Sequence, residues 1–64
     1  MTRGCPNCGK LTNRTMCGSC GVQTMTAREL ADAATRAAQR RLYTTSERYE
    51  AIGRKVARAN REAV

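Results

Sequence analysis

Histidine, tryptophan and phenylalanine are absent from this 64-residue chain, and proline occurs once. Without histidine the chain lacks the side chain most often used as a general base near neutral pH. Its five carboxylates, Glu29, Asp32, Glu47, Glu50 and Glu62, are scattered over the second part of the sequence, and no phosphate-cradling glycine loop or nucleophile–base pair occurs. Catalysis has no foundation here, so the chain is expected not to be an enzyme and to take no small-molecule substrate. No apolar run approaches the roughly 18–20 residues of a membrane span, and the stretch after Met1 is polar and reaches Cys5 at once, unlike a secretory signal. The expectation is therefore no membrane partner and an intracellular, cytoplasmic location.

Large apolar side chains are also scarce. Hydrophobic residues make up 41% of the chain, but ten of them are alanine and four are cysteine. Apart from the termini, what remains is Leu11, Met16, Val22, Met25, Leu30, Leu42, Tyr43, Tyr49, Ile52 and Val56. A chain this short with so small a core needs a staple.

The cysteines supply one. They form two pairs, Cys5-Pro6-Asn7-Cys8 and Cys17-Gly18-Ser19-Cys20, followed by Gly9 and Gly21. Two intervening residues let both sulfurs of a pair turn toward one point, and glycine tolerates the positive φ that such a turn requires. Two pairs complete a tetrahedron of thiolates, which closes every coordination position and suits structural rather than catalytic zinc. Four cysteines would also allow three disulfide pairings, but a reducing compartment favours metal. A thioredoxin-like redox motif needs a βαβ scaffold that the chain is too short to build, and the aromatic shell expected around a rubredoxin-like iron is missing. The reading is one structural Zn2+ on Cys5, Cys8, Cys17 and Cys20. In finger-sized peptides such an ion is worth roughly 10–16 kcal/mol of apparent binding energy at neutral pH.

Cys5-Pro6-Asn7-Cys8-Gly9-Lys10 and Met16-Cys17-Gly18-Ser19-Cys20-Gly21 resemble the two zinc knuckles of short bacterial zinc-ribbon proteins, a match over residues 3–23. The resemblance implies a small β-hairpin carrying the metal, and partners such as DNA, RNA, a polymerase or a ribosome. Only eight residues separate Cys8 from Cys17 and none of them is aromatic, so the hairpin is minimal.

Composition changes near Gln23-Thr24-Met25, with all cysteines before it and all alanines and acids after it. The fold class expected is a small metal-stapled α+β protein: a zinc ribbon over 1–24, then a basic amphipathic helical hairpin over 25–64. In the ribbon, Lys10-Leu11-Thr12 and Thr15-Met16 are expected to pair as strands around a turn at Asn13-Arg14, with Leu11, Met16 and Val22 covering the metal. Thr26 and Glu29 have capping-box spacing, and Met25 and Leu30 that of a hydrophobic staple. The helix they open should run over 27–42, with Leu30, Ala33, Ala34, Ala37, Ala38 and Leu42 on one side. Thr44-Thr45-Ser46 interrupts this pattern, and Thr44 with Glu47 repeats the capping-box spacing. A second helix over 46–62 would carry Tyr49, Ile52, Val56, Ala59 and Ala63 on one side. A short connection suggests an antiparallel hairpin with Leu30, Leu42, Tyr49, Ile52 and Val56 inward. One continuous helix is the alternative, since no glycine or proline marks the break.

The formal charge is +7, with ten arginines against two lysines. Four thiolates and one zinc ion would lower it to about +5. Part of this charge complements helix ends and i,i+4 pairs such as Asp32 with Arg36 and Glu50 with Arg54. Beyond that remain Arg54, Lys55, Arg58 and Arg61, together with Arg40 and Arg41, and in the ribbon Arg3, Lys10 and Arg14 with no acid beside them. Arginine's planar fork suits phosphate, so these residues are the candidates for binding nucleic acid, DNA or a ribonucleoprotein, with modest or no sequence preference. Tyr43 and Tyr49 could stack on bases, although the spacing of Tyr49 favours core packing. The alternative is a protein-docking adaptor that binds a larger machine such as RNA polymerase or the ribosome, or a second copy of itself, as a small viral or mobile-element protein would.

Overall fold

The computed structural model describes residues 1–62. Strand β1, Arg3–Gly4, pairs antiparallel with β2, Leu11–Thr12, in the register Arg3 to Thr12 and Gly4 to Leu11. Helices α1, Ala27–Gln39, and α2, Tyr43–Glu62, follow and pack on each other. The expected architecture of a two-strand hairpin bearing the cysteines, then a helical pair, is the one found.

The strand pairing differs from the sequence expectation. Leu11–Thr12 turns back on Arg3–Gly4 across the first cysteine pair rather than on Thr15-Met16. Met16 instead bridges Gln23 across the second pair, and Gly4 also bridges Met25, with both backbone hydrogen bonds at 2.9 Å. Each cysteine pair is thus closed by its own flanking residues, and Gly4 is held on two sides.

The opening of α1 follows its sequence signal. Thr26 is the N-cap; its hydroxyl accepts from the Glu29 amide at 3.2 Å, and its own amide donates to Glu29 Oε1 at 3.0 Å. Two helix donors are satisfied reciprocally, as the capping box predicts.

The other end of α1 comes earlier than residue 42. Helical bonding stops at Gln39, Arg40 caps it, and Arg41 takes φ 62, the left-handed region. The Leu42 amide then donates to Ala37 O at 2.8 Å and the Arg41 amide to Ala38 O at 2.9 Å. This pair of bonds is a Schellman motif, which normally places glycine where Arg41 stands. The break therefore carries no glycine signal in the sequence. Helix α2 begins at Tyr43, so Thr44, Thr45 and Ser46 lie inside its first turns rather than before it. Thr44 is no N-cap. Ser46 is buried and its hydroxyl donates to Ala34 O of α1 at 2.8 Å, which satisfies the group and ties the helices together. Ser46 opposite Ala34, and Gly53 opposite Leu30 and Ala27, make the pair antiparallel.

Leu30, Ile52 and Val56 form the core, with Met25, Ala27 and Tyr49 packed against it. Leu42, expected inside, is 51% exposed because the Schellman turn carries it out of the α1 stripe. Leu11, Met16 and Val22, expected over the cysteines, are 39%, 55% and 36% exposed. Cys5 and Cys17 are buried, Cys20 is half-buried and Cys8 is exposed. Ala59 is half-buried; Ala63 lies outside the described residues. The molecule is a slab of 34 × 26 × 13 Å, about one helix thick, so each element can bury only one face.

Two further links hold the strand region to the helices. Thr24 is buried; its hydroxyl donates to Arg14 O at 2.6 Å and accepts from Arg3 Nε at 2.9 Å, and its carbonyl accepts from Arg3 Nη2 at 2.8 Å. Asn60, near the end of α2, accepts from the Thr2 amide at 2.7 Å and donates to Thr2 O at 3.2 Å, as a strand neighbour would.

Candidate metal centre

The two cysteine turns are the same structure written twice, twelve residues apart. In the first, the Cys5 amide donates to Lys10 O at 3.0 Å and the Gly9 amide to Cys5 O at 2.9 Å. In the second, the Cys17 amide donates to Val22 O at 2.9 Å and the Gly21 amide to Cys17 O at 2.8 Å. Gly9 and Gly21 have φ 78 and 69, so the left-handed residue that closes each turn falls on a glycine both times.

The four sulfurs of Cys5, Cys8, Cys17 and Cys20 lie within 4.8 Å of one another. With bonds of about 2.3 Å, the sulfurs around a tetrahedral zinc stand about 3.8 Å apart. Cys8 and Cys17 are at 3.8 Å already, across the two turns. Small side-chain rotations would bring the others to the same spacing, so the donor set fits a divalent, thiolate-preferring metal ion. All four cysteines are free thiols, and four of them leave no open coordination position for a reacting water.

Local amides prepare the buried pair for that role. Burial pushes the Cys5 thiol up, but the amides of Cys8 and Asn7, with the neighbouring Cys8 and Cys17 sulfurs, more than offset it and bring it down to about 6. Cys17 is lowered in the same way by the amides of Cys20 and Ser19. The Lys10 amide lowers Cys8, yet its contacts with the Cys20 and Cys5 sulfurs, burial and Cys17 raise it to about 11. A bound dication would displace the remaining thiol protons.

Some of the supporting groups were not legible as such. Asn7 Nδ2 donates to Cys20 Sγ at 3.4 Å, joining one turn to the other, and Arg48 of α2 donates to the Asn7 carbonyl. The only sequence hint of the first is that Asn7 lies between two cysteines.

The nine basic residues singled out in the sequence separate into groups. Arg3 is largely used up inside the fold, bonded to Thr24 and 3.6 Å from Glu29. Lys10 and Arg14 come together, lining one concavity with Thr12, Cys17 and Gly18. Arg54, Arg58 and Arg61 line another on the outer face of α2, with Ala57 and Glu62. Arg54 reaches Glu50 at 4.0 Å and Arg58 reaches Glu62 at 3.1 Å, exposed i,i+4 pairs of little individual weight. Arg58, unpaired on the sequence reading, thus has an acidic partner in Glu62. Arg40 lines a third concavity with Arg36, Leu42 and Tyr49, while Arg41 stands on the connecting turn and Lys55 is exposed on α2. Lys10, Arg14, Arg40, Arg41, Lys55 and Arg61 are exposed and make no ion pair among the described residues.

No helix among the described residues is long and apolar enough to cross a membrane. Comparison with protein-family models, with curated proteins and with solved structures returned no match.

Proposed function

We propose that the chain is a small zinc-ribbon binding protein: one structural Zn2+ holds its N-terminal turns, and its basic surface contacts the phosphates of DNA or RNA. The zinc reading rests on four cysteine sulfurs gathered within 4.8 Å of one another, an all-sulfur donor set of the kind that zinc prefers in structural sites. The nucleic-acid reading rests on one observation. The helices spend most of their apolar stripes on each other, and nine exposed cations are left without an acidic partner among the described residues. A surface of that kind attracts an anionic polymer, and contacts to phosphates carry no base information.

Protein docking is the second reading, and it has its own observation: Leu42 and Tyr43 are 51% and 63% exposed at the turn between the helices.

Native mass spectrometry should find the chain heavier by one zinc ion. Fluorescence anisotropy with labelled DNA and RNA at low salt should show binding whose log–log salt slope is about −0.9 per phosphate on duplex DNA. Lys55→Glu with Arg61→Glu should weaken all sequences alike and leave zinc content unchanged. Absence of binding to either polymer, together with a nuclease-resistant protein partner, would transfer the function to docking.

A further inference from the structure

We propose that the corner joining α1 to α2 seats an unstacked base, so that the nucleic acid bound is single-stranded. This inference rests on the phosphate-binding reading above and assigns it a place and a strand state. Tyr43 and Tyr49 are the only aromatic residues of the chain, and both lie at this corner. Tyr49 is half-buried against the core and forms, with Leu42, part of an apolar concavity whose rim carries Arg36 and Arg40. Tyr43 begins α2 and is 63% exposed, so core packing does not account for it. Arg36, Arg40 and Arg41 are exposed and have no ion pair among the described residues.

Each part answers one feature of a single strand. An aromatic face stacks on a base of any identity, and guanidinium groups a few residues away neutralise the flanking phosphates. In a duplex the base faces are covered by their neighbours, so neither tyrosine could reach one. The other two basic concavities lack this combination: the outer face of α2 has arginines but no aromatic, and Lys10 with Arg14 sits beside a buried cysteine. Those surfaces suit phosphates alone. The corner suits phosphates and a base together.

The test uses the zinc-loaded full chain, a 12-nucleotide oligo-dT or oligo-rU strand, and a 12-base-pair duplex. Since tryptophan is absent, tyrosine fluorescence reports the corner directly. The single strand is expected to quench that fluorescence and to bind at least about tenfold more tightly than the duplex. Tyr43→Leu should weaken single-strand binding roughly 5- to 150-fold while leaving duplex binding within about twofold. Arg36→Gln should weaken binding of the single strand with retained quenching at saturation, which separates the phosphate contact from the stack. Equal affinity for the two polymers with a neutral Tyr43→Leu would overturn this inference and leave phosphate binding standing; no binding of either would overturn both. A tyrosine response to a 15-residue amphipathic Glu/Leu peptide, with none to the oligonucleotides, would assign the corner to an acidic protein and overturn the proposal as well.

Discussion

Gly4 lies against Val56 so closely that a Cβ placed on it would stand 2.7 Å from Val56 Cγ2, and 2.9 Å from Ile52 Cγ2. The strand next to the first cysteine therefore rests directly on the helical core, with no side chain between them. Gly4→Ala must push two core residues aside, and overpacking of this kind costs about 1–3 kcal/mol. Urea denaturation of the zinc-loaded protein should show the loss. A neutral result would mean that the strand does not dock on α2 in solution.

Arg41 should be the opposite case. Its left-handed backbone costs a non-glycine residue about 1 kcal/mol or more. Arg41→Gly is expected to stabilise the protein by about 0.5–1 kcal/mol, and Arg41→Val to destabilise it. Thermal unfolding followed by far-UV circular dichroism measures both.

The N-terminus of α1 should be acid-sensitive. The Thr26 amide and hydroxyl lower the Glu29 carboxyl below its ordinary value of 4.5, and Arg3 adds to this. A group with a depressed folded value stabilises the fold fully above the ordinary value and loses that contribution as pH falls through the folded one. The first turn of α1 should therefore loosen below about pH 4.5. Thr26→Ala should cost about 0.5–2 kcal/mol near neutral pH and should flatten this acid dependence. Amide hydrogen exchange at residues 27–30 across pH 3 to 6 checks the prediction.

Removing zinc with a strong chelator should disorder more than the cysteine turns. Residues 3–25 have few buried apolar side chains of their own, and Gly4 is held to Leu11 and Met25 by backbone pairing. When that pairing goes, Leu30, Ile52 and Val56 lose the cover that Gly4 provides. Amide NMR spectra should collapse toward random-coil shifts over 3–25, with broadening in the middle of α2. Helical resonances unchanged throughout would show that the helix pair is self-sufficient.

What could be read from the sequence was whatever is encoded within a few residues. Each cysteine turn needs only its own CxxCG segment, and the start of α1 needs only Thr26 to Glu29. The pairing of Leu11 with Gly4, by contrast, depends on Gly4 fitting beneath Val56, more than fifty residues away. The commitment of Arg3 to Thr24 is likewise non-local. The end of α1 is illegible for a different reason: the left-handed position that terminates it holds an arginine, so local chemistry points to the Thr44-Thr45-Ser46 run instead. Leu42 falls inside only on a helical periodicity that stops at Gln39. At the metal centre the four ligands were legible, whereas the Asn7 bond to Cys20 exists only once the two turns face each other.

Asn60 grips Thr2 through both backbone groups, while Tyr43 starts the same twenty-residue helix at its far end. At 1.5 Å per residue, about 25 Å of rigid rod separates the two. The Thr2–Asn60 clasp therefore marks one pole of the molecule, and the Leu42–Tyr43 corner occupies the other. A dye or a surface anchor attached beside Thr2 or Asn60 would stand clear of that corner, and two such attachments would compete with each other for the same space.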